Sequence, residues 1–436
     1  MRGFSNTCCT RLRAELGCAA IAVGLLCSVS FGAEPAPQPP ASAGTISLTV
    51  DEAMGLFLKQ NLDLLIAQYG IDSAKGLEVT SKLFPNPNLS ADLTGSTTQS
   101  FHDVGSVSFR VDQLFELAGK RGYRQESARF GVQSAEAAFV DAVRTLGFAV
   151  KDAFYHVLQA KQKLELAKQN SSNFAEVVKI NDIRFKKGAI AEIDLIKLRV
   201  QLVDFQNQVI TATQDFLAAQ NTLKGLLRVR PIVELVLKGE LDYTSRSLEV
   251  EALKADALVT RPDVLVKTRT VSQKSADLKL ARALRVPDVT VGADTNIQGP
   301  MGPNSPHQYG FGFSVPLPLF NRNQGGILQA EADLKTAQTD LDKTRLLVEI
   351  DVENAYRDFT QTQMLVQAYR GGAVNDAKEV KDIATKAYQR GGTTILDLLD
   401  AFRTFNTTML GYIDAVYAYQ RSLLEIDAAV GREVTR

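Results

Sequence analysis

Apolar residues recur along much of this chain at alternating steps of three and four positions, which is the spacing of a coiled-coil seam. Four such stripes are present, from Val143 to Ala167, from Leu195 to Leu226, from Val348 to Tyr369 and from Leu398 to Tyr419. They predict four long helices, at about 117-186, 192-228, 324-389 and 394-428. Because a helix rises ~1.5 Å per residue, one of roughly 70 residues would be about 100 Å long, far more than a compact globular domain needs.

Strict alternation of apolar and polar residues marks four shorter segments between these helices. In one of them Val107, Phe109 and Val111 alternate with Ser108 and Arg110, which predicts a strand with one apolar face. The four predicted strands lie at about 88-98, 104-114, 288-298 and 307-317. A hairpin on a soluble core would show the same alternation, but each segment has the ~9 to 11 residues with which a tilted strand crosses a bilayer. Four strands leave unpaired edges in lipid, so several chains would have to close one barrel together.

An internal duplication relates the two halves of the chain. A shift of 200 positions aligns, without a gap, Leu48, Asp63, Leu65 and Pro87 with Leu248, Asp263, Leu265 and Pro287. Slightly larger shifts align Phe109 with Phe313 and Phe154 with Tyr356. The sequence therefore predicts a first repeat at 47-230, an inter-repeat linker at 231-247 and a second repeat at 248-430.

The first residues predict a cleavable secretory signal over 1-32. Basic residues precede an apolar run that ends near Phe31, and the small residues around it fit cleavage after Gly32. A leader rich in Pro and Ala follows at 33-46, for which an extended, poorly ordered chain is expected. Beyond the signal no apolar run reaches the roughly 18 residues of a spanning helix, so a membrane crossing by the mature chain would use strands.

Composition and motifs argue against chemistry in this chain. The 49 basic and 49 acidic side chains balance, which gives no reason to expect a polyanionic partner such as nucleic acid. All four cysteines lie inside the predicted signal, and Leu26 argues against acylation of Cys27 as in a lipoprotein. The histidines are scattered, at His102, His156 and His307. There is no phosphate-binding loop, no Gly-x-Ser-x-Gly elbow and no His-Glu-x-x-His pair, so the sequence predicts no catalytic residue, no metal ligand and no cofactor.

Each half carries the same motif between its two long helices. The first copy is Phe185-Lys186-Lys187-Gly188 with Asp194-Leu195 six residues past the glycine, and the second is Tyr388-Gln389-Arg390-Gly391 with Asp397-Leu398 equally placed. A basic residue followed by glycine is typical of a helix C-terminus, because the cation favours the helix dipole and glycine accepts a left-handed backbone. One copy would fit any helical hairpin, whereas two copies in register indicate a repeated structural turn.

In its duplicated layout and its paired turn motif the chain resembles the TolC family of outer-membrane factors, over essentially its whole mature length. The run Val315-Pro316-Leu317-Pro318-Leu319-Phe320, with Pro85-Asn86-Pro87 at the equivalent junction of the first half, is similar to the CzcC-like heavy-metal efflux branch. The resemblance implies a mixed α/β membrane protein. A homotrimer would form an outer-membrane β-barrel from four strands per chain, continued by a long α-helical coiled-coil periplasmic tunnel.

The resemblance also implies a function and partners. The chain would be the passive outer-membrane channel of a tripartite efflux system and not an enzyme. It would work with a periplasmic adaptor (membrane fusion protein) and an inner-membrane RND pump, and would export heavy-metal cations. Two alternatives remain open. The same fold would serve as a conduit for drugs or secreted polypeptides, and a periplasmic coiled-coil adaptor or scaffold would explain the helices but not the four bilayer-length strands.

The resemblance further assigns roles to residues at the turns. The adaptor would dock at the helical tips, at Lys187, Gly188, Arg390 and Gly391. Asp397 and Asp400, which share a helix face, would ring the narrow periplasmic aperture and favour cations, unless they simply lie on a solvated helix surface. Asp194 and Tyr388 fall on positions that help tie the closed aperture to an arginine in such channels. Here Thr393 occupies the position of that arginine.

Overall fold

A computed structural model of the chain describes residues 45–95, 104–298 and 306–435. The predicted signal peptide, the leader as far as residue 44, and His102 lie outside these ranges. The helices are α1 (Val50–Gln60), α2 (Leu62–Lys82), α3 (Lys120–Lys186), α4 (Glu192–Leu226), α5 (Val250–Thr260), α6 (Pro262–Ala283), α7 (Gln324–Ala368), α8 (Val374–Gln389) and α9 (Ile395–Val430). The strands are β1 (Thr45–Leu48), β2 (Asn88–Gly95), β3 (Val104–Phe115), β4 (Glu234–Leu237), β5 (Val289–Gln298) and β6 (His307–Ser314).

The long helices begin and end near the positions that the apolar stripes indicate. The 67 residues of α3 correspond to about 100 Å of helix, and α3 packs against α4 of its own repeat and against α6 and α9 of the other. The strand expected at 307-317 ends earlier, at Ser314, because Pro316 and Pro318 have no N–H to donate to a ladder. Among the described residues, no helix is both long and apolar enough to cross a membrane.

The helix expected at 324-389 is interrupted. A π-helical segment, Tyr369–Ala373, separates α7 from α8, and inside it Gly372 has φ 156°, a conformation that glycine alone adopts at low cost. The guanidinium of Arg370 lies 5.4 Å from the ring centroid of Tyr243, and its Nη1 donates to the Tyr243 carbonyl oxygen at 3.2 Å. The sequence did not predict this segment, because the three-and-four spacing does not report a local change of winding.

The leader and the inter-repeat linker are also more ordered than expected where the structure describes them. β1 begins inside the predicted leader, β4 lies inside the predicted linker, and the two strands pair in parallel with Thr45 opposite Glu234. Leu48, Leu235 and Leu237 are buried in this small sheet. The expectation of poorly ordered chain was therefore wrong at 45-46, and the predicted linker contains a strand, because apolar side chains from two distant segments bury each other.

The other four strands form one antiparallel sheet in the order β2-β3-β5-β6. The two repeats meet at its centre, where Phe109 of β3 is opposite Thr295 of β5. One face of this sheet is apolar and exposed, and its large side chains include Leu89, Leu93, Phe109, Tyr309, Phe311 and Phe313. Within the chain, β2 and β6 are the edges of the sheet. These are the features expected of strands that face lipid and continue into neighbouring copies.

Each repeat has its own apolar core where the short helices pack on the long ones. The first surrounds Phe57, Phe154 and Leu223, which are almost fully buried. The second surrounds Phe359 and Tyr419, and the Tyr419 hydroxyl donates to the Thr244 carbonyl oxygen at 2.6 Å. Burial of a large apolar side chain contributes roughly 1.5 to 3 kcal/mol, so these cores fix the long helices against the linker and the short helices.

Candidate functional site

The two turns between the long helices have the same backbone structure. After α3, Gly188 has φ 72°, its N–H donates to Phe185 O at 2.8 Å, and the next N–H, of Ala189, donates to Arg184 O at 2.9 Å. After α8, the corresponding glycine, Gly391, has φ 77°. This pattern is a Schellman motif, in which a left-handed residue turns the chain and satisfies the last helical carbonyls.

The second turn repeats both bonds of the first. The Gly391 N–H donates to Tyr388 O at 3.1 Å and the Gly392 N–H to Ala387 O at 2.8 Å. The basic residues before the glycines, Lys187 and Arg390, cap the two helices and are exposed, as are both glycines. The paired sequence motif therefore corresponds to one turn that is built twice.

The structure brings the two turns together at one end of the molecule. Arg184 donates from Nη2 to the carbonyl oxygen of Gln389 at 3.4 Å, and its guanidinium lies 5.6 Å from the ring centroid of Tyr388. The Tyr388 hydroxyl donates to Oδ1 of Asn181, which is 1% exposed, at 3.0 Å. Arg184 and Asn181 of the first hairpin thus hold the second hairpin, and no motif in the sequence identified either residue.

An aromatic cluster lies below the turns and joins the two hairpins. Phe174 of α3 packs against Phe205 of α4 and Phe402 of α9, with ring centroids 5.1 Å and 5.3 Å apart. Aromatic pairs in this geometry contribute about 0.5 to 1.5 kcal/mol beyond their area burial. The helices that lead into the two turns are therefore packed against each other by this cluster.

Farther from the turns, buried polar side chains fix the register of the same helices. Asn170 of α3 donates to Oδ1 of Asn406 in α9 at 2.8 Å, and Asn406 donates in turn to Gln208 of α4 at 3.2 Å. Arg403 donates to the buried Gln201 at 2.6 Å. Because an unpaired polar group costs free energy in an apolar contact, this layer disfavours any sliding of the helices past each other.

At the second turn, Asp397 is engaged by a local capping box at the start of α9. Its Oδ2 accepts hydrogen bonds from the Thr394 backbone N–H at 3.0 Å and from the hydroxyls of Thr394 and Thr393 at 2.6 and 2.8 Å. These bonds, that of the Thr394 hydroxyl foremost, hold the pKa of Asp397 below its ordinary value. Thr393 therefore donates to the same carboxylate oxygen as the capping residue Thr394.

The first turn lacks this cap. The residue at the position of Thr394 is Ala191, whose side chain cannot accept a hydrogen bond, so α4 begins without a side-chain cap. Asp194, the counterpart of Asp397, is left half-exposed near Tyr388. Burial raises the pKa of Tyr388, the Arg184 charge lowers it and the Asp194 carboxylate raises it.

The predicted site residues are thus divided between two layers. The turns themselves contain Lys187, Gly188, Arg390 and Gly391. The helix ends beside them contain Tyr388, near the end of α8, and Asp194 and Asp397, in the first turns of α4 and α9. Asp400 is exposed one helical turn beyond Asp397. Thr393 provides no charge for a latch to Tyr388, and the guanidinium of Arg184 lies beside that tyrosine instead.

The residues that could hold a metal do not converge in the part of the chain that the structure describes. Across those ranges no three side chains of His, Cys, Asp or Glu lie close enough to bind one ion. His156 is exposed and packs against the ring of Tyr417 at a centroid distance of 5.6 Å.

Comparison with known families and proteins agrees with this geometry. Residues 54–227 and 253–432 match the family described as outer membrane efflux protein. The chain is 24% identical over 396 residues to the cobalt-zinc-cadmium resistance protein CzcC of Cupriavidus metallidurans, covering 90% of this chain and 92% of that protein. It is 25% identical over 348 residues to the pyoverdine export outer membrane protein OpmQ of Pseudomonas putida, covering 77% and 71%.

Solved structures share the fold. The outer-membrane channel OprN superposes with a TM-score of 0.75 at 20% identity, covering 88% of this chain and 89% of that one. CusC, whose structures concern folding and transmembrane channel formation, superposes with a TM-score of 0.75 at 18% identity, covering 91% and 99%.

Proposed function

Because this chain belongs to the outer membrane efflux protein family, we propose that three copies form one channel in which the four-stranded sheets close a barrel in the outer membrane and the long helices continue it as a periplasmic tunnel. The membership confirms the family, the efflux-channel function, the non-enzymatic role and the outer-membrane location that the sequence predicted. The channel works with a periplasmic adaptor and an inner-membrane pump.

The observation that carries the proposal is the pairing of two equivalent helical turns at one end of the molecule. Arg184 ties them together, and the cluster around Phe174 supports them from below. Three chains would arrange six such turns in a ring, because each chain presents both of its turns at the same end. This ring is the periplasmic entrance of the channel.

The entrance carries acidic side chains that favour cations. Asp397 has one carboxylate oxygen in its capping box, Asp400 is exposed, and the two repeat threefold around the axis. Rings of carboxylates raise the local concentration of cations and repel anions. The half-exposed Asp194 places a further carboxylate at the first turn of each chain.

The test is the ion selectivity of the purified protein in planar bilayers. Asp397→Asn combined with Asp400→Asn removes the charges while leaving an amide oxygen to accept the Thr394 N–H, so the turn should keep its fold. We expect discrete channels in both proteins and a several-fold lower cation-to-anion permeability ratio in the double variant. Asp400→Glu keeps the charge and is the matched control. Wild-type selectivity in the double variant would contradict the proposed acidic aperture, and absence of channels from wild type would contradict the conduit.

The outermost tips are the adaptor-docking surface, formed by Lys187, Gly188, Arg390 and Gly391. All four residues are exposed, and both glycines have a left-handed backbone. Reversal of charge in Lys187→Glu plus Arg390→Glu should weaken binding of the adaptor in a pull-down and leave channel conductance intact. Lys168→Glu, on the exposed side of α3 away from the turn, is the control. Unchanged adaptor binding would remove these residues from the surface.

For the substrate, the acidic entrance favours metal cations over anionic compounds. The relatives differ in substrate: one is named as a cobalt-zinc-cadmium resistance protein and another as a pyoverdine export protein. Zinc reversal potentials across the same bilayers would measure the preference directly. A channel that excludes zinc while it passes chloride would overturn the assignment.

A further inference from the structure

The polar face of the four-stranded sheet carries one basic side chain among several carboxylates. Arg110 of β3 lies between Asp112, two residues along the same strand, and Asp294, its cross-strand partner on β5. Arg110 Nε donates to both carboxylate oxygens of Asp112 at 2.9 Å, and its Nη1 lies 3.7 Å from Oδ1 of Asp294. The three side chains form a cluster that spans the two repeats.

Two glycines provide the space that this cluster occupies. A Cβ at Gly292 would collide with the Asp112 carboxylate and lie 2.8 Å from Nη2 of Arg110. A Cβ at Gly310 would lie 2.7 Å from a carboxylate oxygen of Asp294. The charged side chains therefore lie flat over strand positions that have no side chain of their own.

The cluster faces away from the apolar side of the sheet. In the antiparallel register, Arg110, Asp294 and Gly310 share one row, whereas Phe109 and Tyr309 belong to the row beside it on the opposite face. Side chains alternate between faces along each strand. Since the face with Phe109 and Tyr309 is the lipid-facing one in the proposed channel, the cluster lines the interior.

From this arrangement we infer that Arg110, Asp112 and Asp294 form a second charge-selective ring, inside the strand region, in which Arg110 limits the cation preference. The inference rests on the proposed trimeric channel. Each chain contributes two carboxylates and one guanidinium, a net charge of about −1, so three chains contribute about −3. Arg110 is thus a specificity-determining residue of the channel, separate from the aperture at the opposite end.

The sign of the effect distinguishes this ring from a structural ion pair. Loss of Arg110 adds one negative charge per chain to the wall, and loss of Asp294 removes one. A unit charge acts on an ion about 10 Å away through water with a small Coulomb energy, which salt screens in part. Three such changes, one per chain, add up and alter the local cation concentration by roughly twofold or more. A purely structural role predicts no opposite effects on selectivity.

The experiment measures reversal potentials in a potassium chloride gradient across planar bilayers, in the background of Asp397→Asn plus Asp400→Asn, so that the aperture does not dominate. Arg110→Gln should raise the cation-to-anion permeability ratio by roughly twofold or more, and Asp294→Asn should lower it similarly. Arg110→Lys keeps the charge and should leave the ratio unchanged.

If the background protein forms channels but Arg110→Gln and Asp294→Asn shift the ratio in the same direction, or not at all, the inference is overturned while the channel stands. If Arg110→Gln does not assemble, Asp294→Asn and Arg110→Lys decide the question. A lowered ratio in the first and an unchanged ratio in the second support the ring, and any other result overturns it. Absence of channels in wild type would instead remove the proposed function.

Discussion

Asn61 and Arg261 occupy corresponding positions in the two repeats, and each donates a hydrogen bond to a carbonyl oxygen at the end of the last long helix of its own repeat. Asn61 Nδ2 donates to Leu226 O at 2.8 Å, and Arg261 Nη1 donates to Ala429 O at 3.2 Å. The positions immediately before them do the same, through Gln60 to Leu227 O and Thr260 to Val430 O, each at 2.6 Å. In both repeats the acceptors are the last backbone carbonyls of the long helix, whereas the side chains that donate to them differ between the repeats.

The first prediction concerns Arg261, the charged donor of this set. Arg261 is 6% exposed and also bonds to Asp263 at 2.6 Å and Asp351 at 3.0 Å, so Arg261→Ala would leave a half-buried carboxylate without its counter-charge. We expect a loss of about 2 to 4 kcal/mol in the local free energy of opening. Hydrogen exchange of α6 and the end of α9 measures this loss. Asn61→Ala, which removes an uncharged cap in the first repeat, should cost about 1 kcal/mol there, and equal effects would contradict the distinction.

The second prediction uses a difference between the ends of the same two helices. Arg228 after α4 has φ 52°, whereas the corresponding residue after α9 is Gly431, with φ 92°. Because a left-handed backbone costs a non-glycine residue about 1 to 2 kcal/mol, the exposed Arg228→Gly should stabilise the first repeat by about 1 kcal/mol. Thermal unfolding in detergent would measure this gain. Arg228→Ala should give no such gain.

The matched change in the second repeat should act in the opposite direction. A Cβ at Gly431 would lie 3.1 Å from Cα of Arg261, besides requiring a left-handed backbone. We therefore expect Gly431→Ala to lower the unfolding temperature. Tolerance of alanine at position 431 would show that the turn relaxes more easily than the structure indicates.

The third prediction transfers the capping box to the first turn. Ala191→Thr places a hydroxyl at the start of α4 where Asp194 N–H can donate to it, as Asp397 N–H donates to Thr394 at 3.2 Å in the second turn. We expect slower hydrogen exchange in the first turn of α4 by about fivefold, equivalent to roughly 1 kcal/mol. Thr394→Ala should speed exchange at the start of α9 by a similar factor. No change from either variant would exclude capping as the difference between the turns.

The fourth prediction is the pH dependence of the second turn. Hydrogen bonds from Thr394 and Thr393 lower the pKa of Asp397, so the folded turn favours the ionised carboxylate. Its contribution to stability is present above the unfolded pKa, about 3.9, and is lost as the pH falls through the lower folded pKa. Exchange protection of residues 395–400, corrected for intrinsic rates, should fall below about pH 4 in wild type. In Asp397→Asn the protection should depend less on pH, and an identical fall in both proteins would assign it to another group.

Local periodicity was enough to predict the long helices, the four strands of the antiparallel sheet and the duplication, but not the π-helical segment after α7 or the strands β1 and β4. The three-and-four spacing around Val150 and Leu398 marks buried helix faces, and the alternation through Phe109 marks the two faces of a strand, because both patterns repeat within a few residues. The turns were also predictable, since lysine or arginine followed by glycine is a local sequence signal for the end of a helix. The aperture roles of Asp397 and Asp400 remain predictions that the selectivity measurements test, and those of Asp194 and Tyr388 remain predictions as well.

Contacts between distant segments could not be predicted in this way. The pairing of β1 with β4, the position of Arg184 beside Tyr388, and the seating of Arg110 over Gly292 each join residues far apart in the sequence. The sequence by itself determined which faces are apolar, where the repeated turns lie and that the chain contains an internal duplication. These properties depend on the pattern of residues close together in the sequence. Only the tertiary structure decided which polar side chains meet, since a hydrogen bond or an ion pair depends on the packing of whole helices and strands and leaves no period in the sequence.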